Sequence, residues 1–231
     1  MGSRNEYGKG WSREELEAAV EAYLEMQRKE RGGESFVKKR YYEDLSSRYN
    51  RSEKSFEFRM QNISFVLSLH GREWLNGLRP ARHVGINIIR ELEEILADAE
   101  GRPVDPSVDF EAKVRSKMDE GKAEERPEGK VTPDRRNVLV TLYDQDPSVK
   151  AWVIIHANGI CESCGRPAPF CVDGGVPFLE VHHVRRLADG GADTIENAVA
   201  VCPNCHRELH FGDNRKEMVE RLCMSISRLS G

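Results

Sequence analysis

Apolar residues in the first hundred positions recur at helical spacing. Ser12 followed by Glu15 forms a capping box, and Leu16, Ala19, Val20, Tyr23 and Leu24 then repeat on one face until Gly32-Gly33. A shorter helix is expected from Lys38 to Tyr49, with Tyr41, Tyr42 and Leu45 turned inward. Asn50-Arg51-Ser52 reads as a turn and cap. Phe56, Met60, Ile63 and Leu67 then mark another helix, which ends at about Leu69 before Gly71. After Gly85 a last helix carries Ile88, Leu92, Ile95 and Leu96, and Gly101 and Pro103 stop it. Residues 1–97 are therefore expected to form an all-helical domain.

The pattern breaks over residues 98–136. Four prolines, mixed charge and sparse apolar residues predict a flexible linker, within which Phe110, Val114 and Met118 could line one short amphipathic helix. From 137 to 231 short helices and strands mix. Asp146-Pro147 opens a helix through Trp152 and Ile155 that Asn158-Gly159 ends. An apolar strand, a glycine-rich turn and a second strand follow, and a final helix carries Met218, Leu222, Ile226 and Leu229. The fold class expected is α+β: a helical N-terminal domain and a small mixed C-terminal one.

Composition narrows the setting. A hydrophobic content of 39% is enough for real cores. No apolar run has the length of a membrane span, so no membrane partner is expected. Residues 1–10 are polar and lack the apolar core of a signal peptide, so a cytoplasmic location is expected. The net charge of −4 does not advertise a nucleic-acid binder, yet residues 28–59 hold ten Lys or Arg against six Asp or Glu. Phosphate contact would have to come from such local patches.

Six cysteines in a cytoplasmic chain read as metal ligands before disulfides. Cys161-Glu-Ser-Cys164 and Cys202-Pro-Asn-Cys205 are matched C-x-x-C pairs, and Gly165 gives the first its tight turn. Four thiolates suit tetrahedral zinc with no open coordination position, which makes the expected site structural. Residues 165–201 are inserted between its halves. Cys171 and Cys223 carry no spacing signal and are expected to be small buried hydrophobes.

Four of the seven histidines surround these knuckles. His182 and His183 are neighbours in the strand Leu179–Val184, so they point to opposite sides and cannot do the same job. His206 and His210 are four apart, on one helix face. Phosphodiester hydrolysis needs a base for water and a cation for the leaving oxygen. One neutral histidine can serve as the base, and others can hold a divalent ion. Gly190-Gly191 makes a tight loop, and Asn197 can bridge backbone groups across it.

In order and spacing, Cys161/Cys164, His182-His183, Gly190-Gly191, Asn197 and Cys202/Cys205-His206 resemble the HNH nuclease family, whose fold is the zinc-stabilised ββα-metal unit. Asp146-Pro-Ser-Val-Lys-Ala-Trp152, Gly159-Ile-Cys-Glu162 and Cys202-Pro-Asn-Cys-His-Arg-Glu-Leu-His210 are similar to the C-terminal domain of the modified-cytosine restriction A family. Those proteins are modification-dependent, type IV restriction enzymes. The resemblance implies that His183 is the general base and that Asn197 orients it. It also implies that His182 and His206 bind a catalytic Mg2+, Mn2+ or Ni2+ ion, with His210 a third ligand or a phosphate contact. The implied products are a 5′-phosphate and a 3′-hydroxyl. Where the family often has proline after the histidine strand, this chain has Arg186, and Arg185-Arg186 can touch phosphate instead.

An HNH core cuts with little sequence preference, so the helical domain is the expected reader of double-stranded, modified DNA. Residues 38–69 read as helix-turn-helix, with Arg51, Lys54, Arg59 and Asn62 as candidate contacts to phosphate or base edges. The function expected is a metal-dependent restriction endonuclease specific for modified cytosine. A homodimer would supply two active sites for cutting both strands. The alternatives are an HNH nuclease of mobile-element or phage type, and a zinc-stabilised DNA-binding protein that does not cleave. A mere binder has no need of His182, His183, Asn197 and His206 together.

Overall fold

In a computed structural model, residues 10–119, 126–135 and 137–229 are described, and the chain divides into two compact units, Met1–Thr141 and Leu142–Gly231. The class is α+β, with a helical N-terminal unit and two small sheets among helices in the C-terminal one.

The first unit is built from α1 (Arg13–Arg31), α2 (Lys38–Arg48), α3 (Glu53–Leu69), α4 (Ile86–Glu100) and α5 (Pro106–Asp119). Its helix ends follow from local chemistry. Ser12 and Glu15 form both arms of the capping box on α1. Ser52 caps α3 by accepting from the Ser55 amide. Gly101 closes α4 in the left-handed conformation. α3 is the central helix. The expected stripe Phe56, Met60, Ile63 and Leu67 is buried, but so are Asn62, Ser64, Phe65, Val66 and Leu69. Packing against α1, α2, α4 and α5 leaves little of its second half for solvent. Its buried Ser64 and Asn62 are paired: the Tyr23 hydroxyl and Ser64 hydroxyl share a hydrogen bond of 2.8 Å, and Asn62 Nδ2 donates to the Ala81 carbonyl.

Residues 98–119 differ from the linker expected there. α4 continues to Glu100, and α5 packs on the helical core. The face it buries carries Val108 and Ala112; Phe110 and Met118 are exposed. A buried ion network explains the attachment. Glu93 on α4 takes hydrogen bonds from Arg102, the Asp105 amide and His70, and Arg102 also donates to Glu100. Burial alone would raise the Glu93 pKa, but the hydrogen bonds from His70 and Arg102 outweigh it and hold it at about 2.

The second unit contains α6 (Pro147–His156), β1 (Cys171–Val172), β2 (Val176–Pro177), β3 (Glu180–His183), β4 (Ala198–Val201), α7 (Pro203–Phe211) and α8 (Arg215–Ser225). Asp146 caps α6 by accepting from the Ser148 amide, and Asn158 and Gly159 take positive φ where it stops. β1 and β2 form a hairpin about Gly174-Gly175. β3 and β4 pair antiparallel, with His182 opposite Val199 and His183 opposite Ala198. β4 is apolar and buried throughout, with α6 packed against it and α7 against β3. The final helix ends at Ser225; Ile226 and Leu229 fold back beyond it, and Leu229 still reaches the core. Cys171 is exposed and Cys223, on α8, partly so, contrary to the burial expected of them; among the described residues β1 pairs with β2 alone, which leaves Cys171 uncovered. Among the described residues no helix is long and apolar enough to cross a membrane.

Candidate active site

Two turns and two strands place the cysteines. After Cys161 the chain reverses: the Cys161 amide donates to the Arg166 carbonyl, and the Gly165 amide donates to the Cys161 carbonyl. Gly165 has φ +69, a conformation glycine adopts without strain. The second pair leaves β4 and enters α7, with Pro203 at the first helical position. The sulfurs of Cys161, Cys164, Cys202 and Cys205 lie within 4.8 Å of one another. Thiolates on one tetrahedral zinc with bonds of ~2.3 Å sit about 3.8 Å apart, so the donor set and its spacing fit that ion. Burial acts to raise the Cys161 thiol, but the amides of Cys202, Cys164 and Ser163 outweigh it and hold its pKa below the ordinary value, favouring the ligating thiolate.

The paired strands put the histidines to two uses. His182 points from β3 toward α7, where its ring lies 5.2 Å from that of His206 and 4.8 Å from that of His210, centre to centre. His206 Nε2 and His210 Nε2 are 3.2 Å apart. That is the spacing of two imidazoles sharing an ion with bonds of ~2.1 Å. His182 Nδ1 is buried with no hydrogen-bond partner. A buried ring nitrogen without a partner is costly unless an ion takes its lone pair. His206 Nδ1 faces Glu180 Oε2 at 2.7 Å, which leaves Nε2 for the ion and orients the ring. Burial, with its histidine neighbours, pushes His182 down to about 3. Burial, Arg186 and His206 push His210 down to about 4. Both are thus held as neutral rings, the form that ligates metal. By geometry and donor chemistry His182, His206 and His210 fit a divalent cation.

His183 leaves the other side of β3. Its Nε2 lies 2.7 Å from Asp193 Oδ1 in the loop between the strands. Asn197 ties that loop together: its amide donates to the carbonyls of Arg185 and Ala192 and accepts from the Arg185 amide. The Val184 amide donates to the Asn197 carbonyl, so the end of the His183 strand is fixed directly. Gly191 is required here by space, because a Cβ would lie 1.9 Å from the Arg185 carbonyl oxygen. Arg185 is exposed, and its Nε donates to the Asp189 carbonyl.

The N-terminal candidates fare differently. Lys54 is exposed on the first turn of α3. Arg51 is held inside the fold: its guanidinium donates to both Glu15 oxygens and the Gly10 carbonyl, and stacks 4.3 Å from the Trp11 ring. Arg59 lies 4.4 Å from the same Trp11 ring and donates to Asn62. Burial and the charge of Arg51 lower Arg59 to about 10. Asn62 is only 1% exposed. Asn62 is therefore a structural group, and the expectation that it reaches DNA is corrected; Arg51 and Arg59 are partly buried and already have partners within the helical unit.

Sequence reasoning missed Glu180 and Asp193. Glu180 shares the strand face of His182, two residues away, which was a usable signal. Asp193 sat among turn residues and gave none.

Sulfur knuckles stand on either side of a paired-strand unit, with three imidazoles gathered over the following helix. The HNH endonuclease family matches residues 161–212. Among curated proteins, the type IV methyl-directed restriction enzyme EcoKMcrA of Escherichia coli (strain K12) is 53% identical over 104 residues. That match covers 45% of this chain and 38% of the relative, so the chain spans well under half of the relative's length. Among solved structures, the type IV phosphorothioation-dependent restriction endonuclease ScoMcrA is 34% identical over 36% of this chain and 19% of its own, with a TM-score of 0.33.

Proposed function

We propose that this protein is a modification-dependent restriction endonuclease that hydrolyses phosphodiester bonds in double-stranded DNA carrying modified cytosine, leaving 5′-phosphate and 3′-hydroxyl ends. The carrying observation is the division of labour on β3: His182 joins His206 and His210, while His183 stands on the opposite side, tethered to the inter-strand loop. The similarity to a type IV restriction enzyme supports the same reading.

His183 is the group that takes a proton from water, and Asn197 fixes the strand end that carries it. His182, His206 and His210 hold a Mg2+, Mn2+ or Ni2+ ion, which when bound neutralises charge on the phosphate and the departing oxygen. Cys161, Cys164, Cys202 and Cys205 hold zinc, which sets the distance between β3 and α7. Arg185 and Arg186 flank the site and contact phosphate. The helical domain, residues 1–97 extended by α5, reads the DNA, with Lys54 the phosphate contact among the residues singled out in it. The enzyme works in the cytoplasm as a homodimer, which gives one site per strand.

The test is cleavage of supercoiled plasmid in Mn2+ by wild type and His183→Ala, on plasmids with and without cytosine modification. Wild type is expected to cut the modified plasmid, and His183→Ala to cut neither. Equal cutting of both plasmids by wild type would remove the restriction reading and leave an HNH nuclease of other targeting.

A further inference from the structure

We propose that Asp193 is the positioning residue that fixes the proton of His183 on Nε2 and so makes Nδ1 the nitrogen that acts as base. This rests on the reading of His183 as the general base.

The atoms able to donate fix the tautomer. Asp193 Oδ2 accepts from the Asp146 backbone amide at 2.6 Å. Asp193 Oδ1 faces His183 Nε2 at 2.7 Å. A carboxylate only accepts, so the nitrogen that faces it must be the donor. The proton therefore sits on Nε2, and the lone pair is on Nδ1. Asp146 is itself held at the N-cap of α6, where its side chain accepts from Ser148. A helix start thus anchors the carboxylate, and β3 anchors the ring. During attack a water proton passes to Nδ1 as the water oxygen bonds to phosphorus. The bond from phosphorus to the 3′-oxygen breaks, and that oxygen takes a proton from solvent. The imidazolium formed keeps its Nε2–H on Asp193, which offsets the new positive charge.

Asparagine at this position would reverse the tautomer. The Asp146 amide can only donate, so it would claim the Asn carbonyl oxygen. The Asn amide would then face His183 Nε2, force that nitrogen to accept, and move the proton to Nδ1.

The experiment uses the full zinc-loaded chain with 15N-labelled histidine. Long-range 1H–15N spectra, with His183→Ala to assign the ring, report which nitrogen carries the proton. The expected wild-type pattern is protonated Nε2; protonated Nδ1 would overturn the proposal, whatever the variants do. Asp193→Asn is expected to show the reversed pattern and to lower kcat about 10²- to 10⁴-fold with KM nearly unchanged. Zinc content and thermal midpoint should stay at wild-type values. A variant that loses zinc or stability with His183 still protonated on Nε2 would show a merely structural Asp193 and overturn the proposal. So would Asp193→Asn that cuts within about threefold of wild type while His183→Ala is inactive; the base reading would then survive without it. If His183→Ala itself cuts normally, the base reading falls and this proposal falls with it.

Discussion

The two units of this chain solve the same stability problem by different means. The N-terminal unit buries large side chains, among them Tyr23, Phe56, Met60, Ile63, Leu67 and Leu92, on five helices. The C-terminal buried cluster has no aromatic ring among the described residues, and its sheet contributes Ala198, Val199, Ala200 and Val201. Aromatic side chains carry the largest apolar area, so the second core is thin. A polar clamp helps to hold it. Arg228 donates to both oxygens of Glu162, whose Oε2 also accepts from the Ala200 amide. The four sulfurs close what remains. The difference teaches that a domain with polar, metal-ligating groups gathered near its centre has less apolar burial, and metal coordination by its four sulfurs would offset that.

Removing zinc should break the comparison most severely. Structural zinc supplies roughly 10–16 kcal/mol of apparent binding energy in small domains. Chelation, or Cys161→Ser, is expected to abolish the C-terminal thermal transition and leave the N-terminal one within a few degrees of its starting point. Calorimetry would show this, and loss of both transitions together would contradict it.

Acid should separate the units next. His182 and His210 have folded pKa values pushed below 6.5, to about 3 and about 4, so below pH 6.5 the unfolded chain binds protons that the folded chain refuses. Their contribution is complete above pH 6.5 and falls as pH drops toward those values. Protonation of the zinc thiolates pushes the same way. Water still reaches His210, so its share is discounted, and the combined loss is on the order of 3 kcal/mol. In the N-terminal unit Glu93, held at about 2 against an ordinary 4.5, keeps its contribution until pH falls below 4.5. Unfolding followed by fluorescence from pH 7 to 5 is expected to weaken the C-terminal transition first; the reverse order would contradict the assignment.

The smallest expected effect sharpens the reassignment of Asn62. Asn62→Ala leaves the partly buried Ala81 carbonyl without its donor and should cost about 1–2 kcal/mol, confined to the N-terminal transition. DNA affinity of the folded fraction, measured by fluorescence anisotropy, should not change. A selective loss of affinity at unchanged stability would restore Asn62 as a contact.

What the sequence made legible was what short-range chemistry determines. The capping box at Ser12, the Gly32 and Gly101 stops and Pro147 after Asp146 each act within one helical turn, and each is found where the residues place it. The cysteine knuckles were legible because residue type and spacing both carry information. α3 was misread because an apolar stripe reports one buried face, whereas burial of Asn62 and Ser64 depends on helices distant in sequence. The attachment of α5 was hidden for a related reason: its hold is the Glu93–Arg102–Asp105 network, and prolines and charges in sequence suggested a linker. Asp193 could not be picked out, because its meaning comes from the Asp146 amide, 47 residues away.

The account stands or falls on whether the three-imidazole cluster governs cutting. The most direct measurement is the plasmid cleavage rate against Mn2+ concentration for zinc-loaded wild type and His206→Ala, with Mn2+ binding followed in parallel by electron paramagnetic resonance. We expect wild-type cleavage to rise with occupancy of one site per chain, and His206→Ala to lose that site and at least about 10²-fold in rate with its zinc retained. A His206→Ala protein that cuts at the wild-type rate would contradict the account.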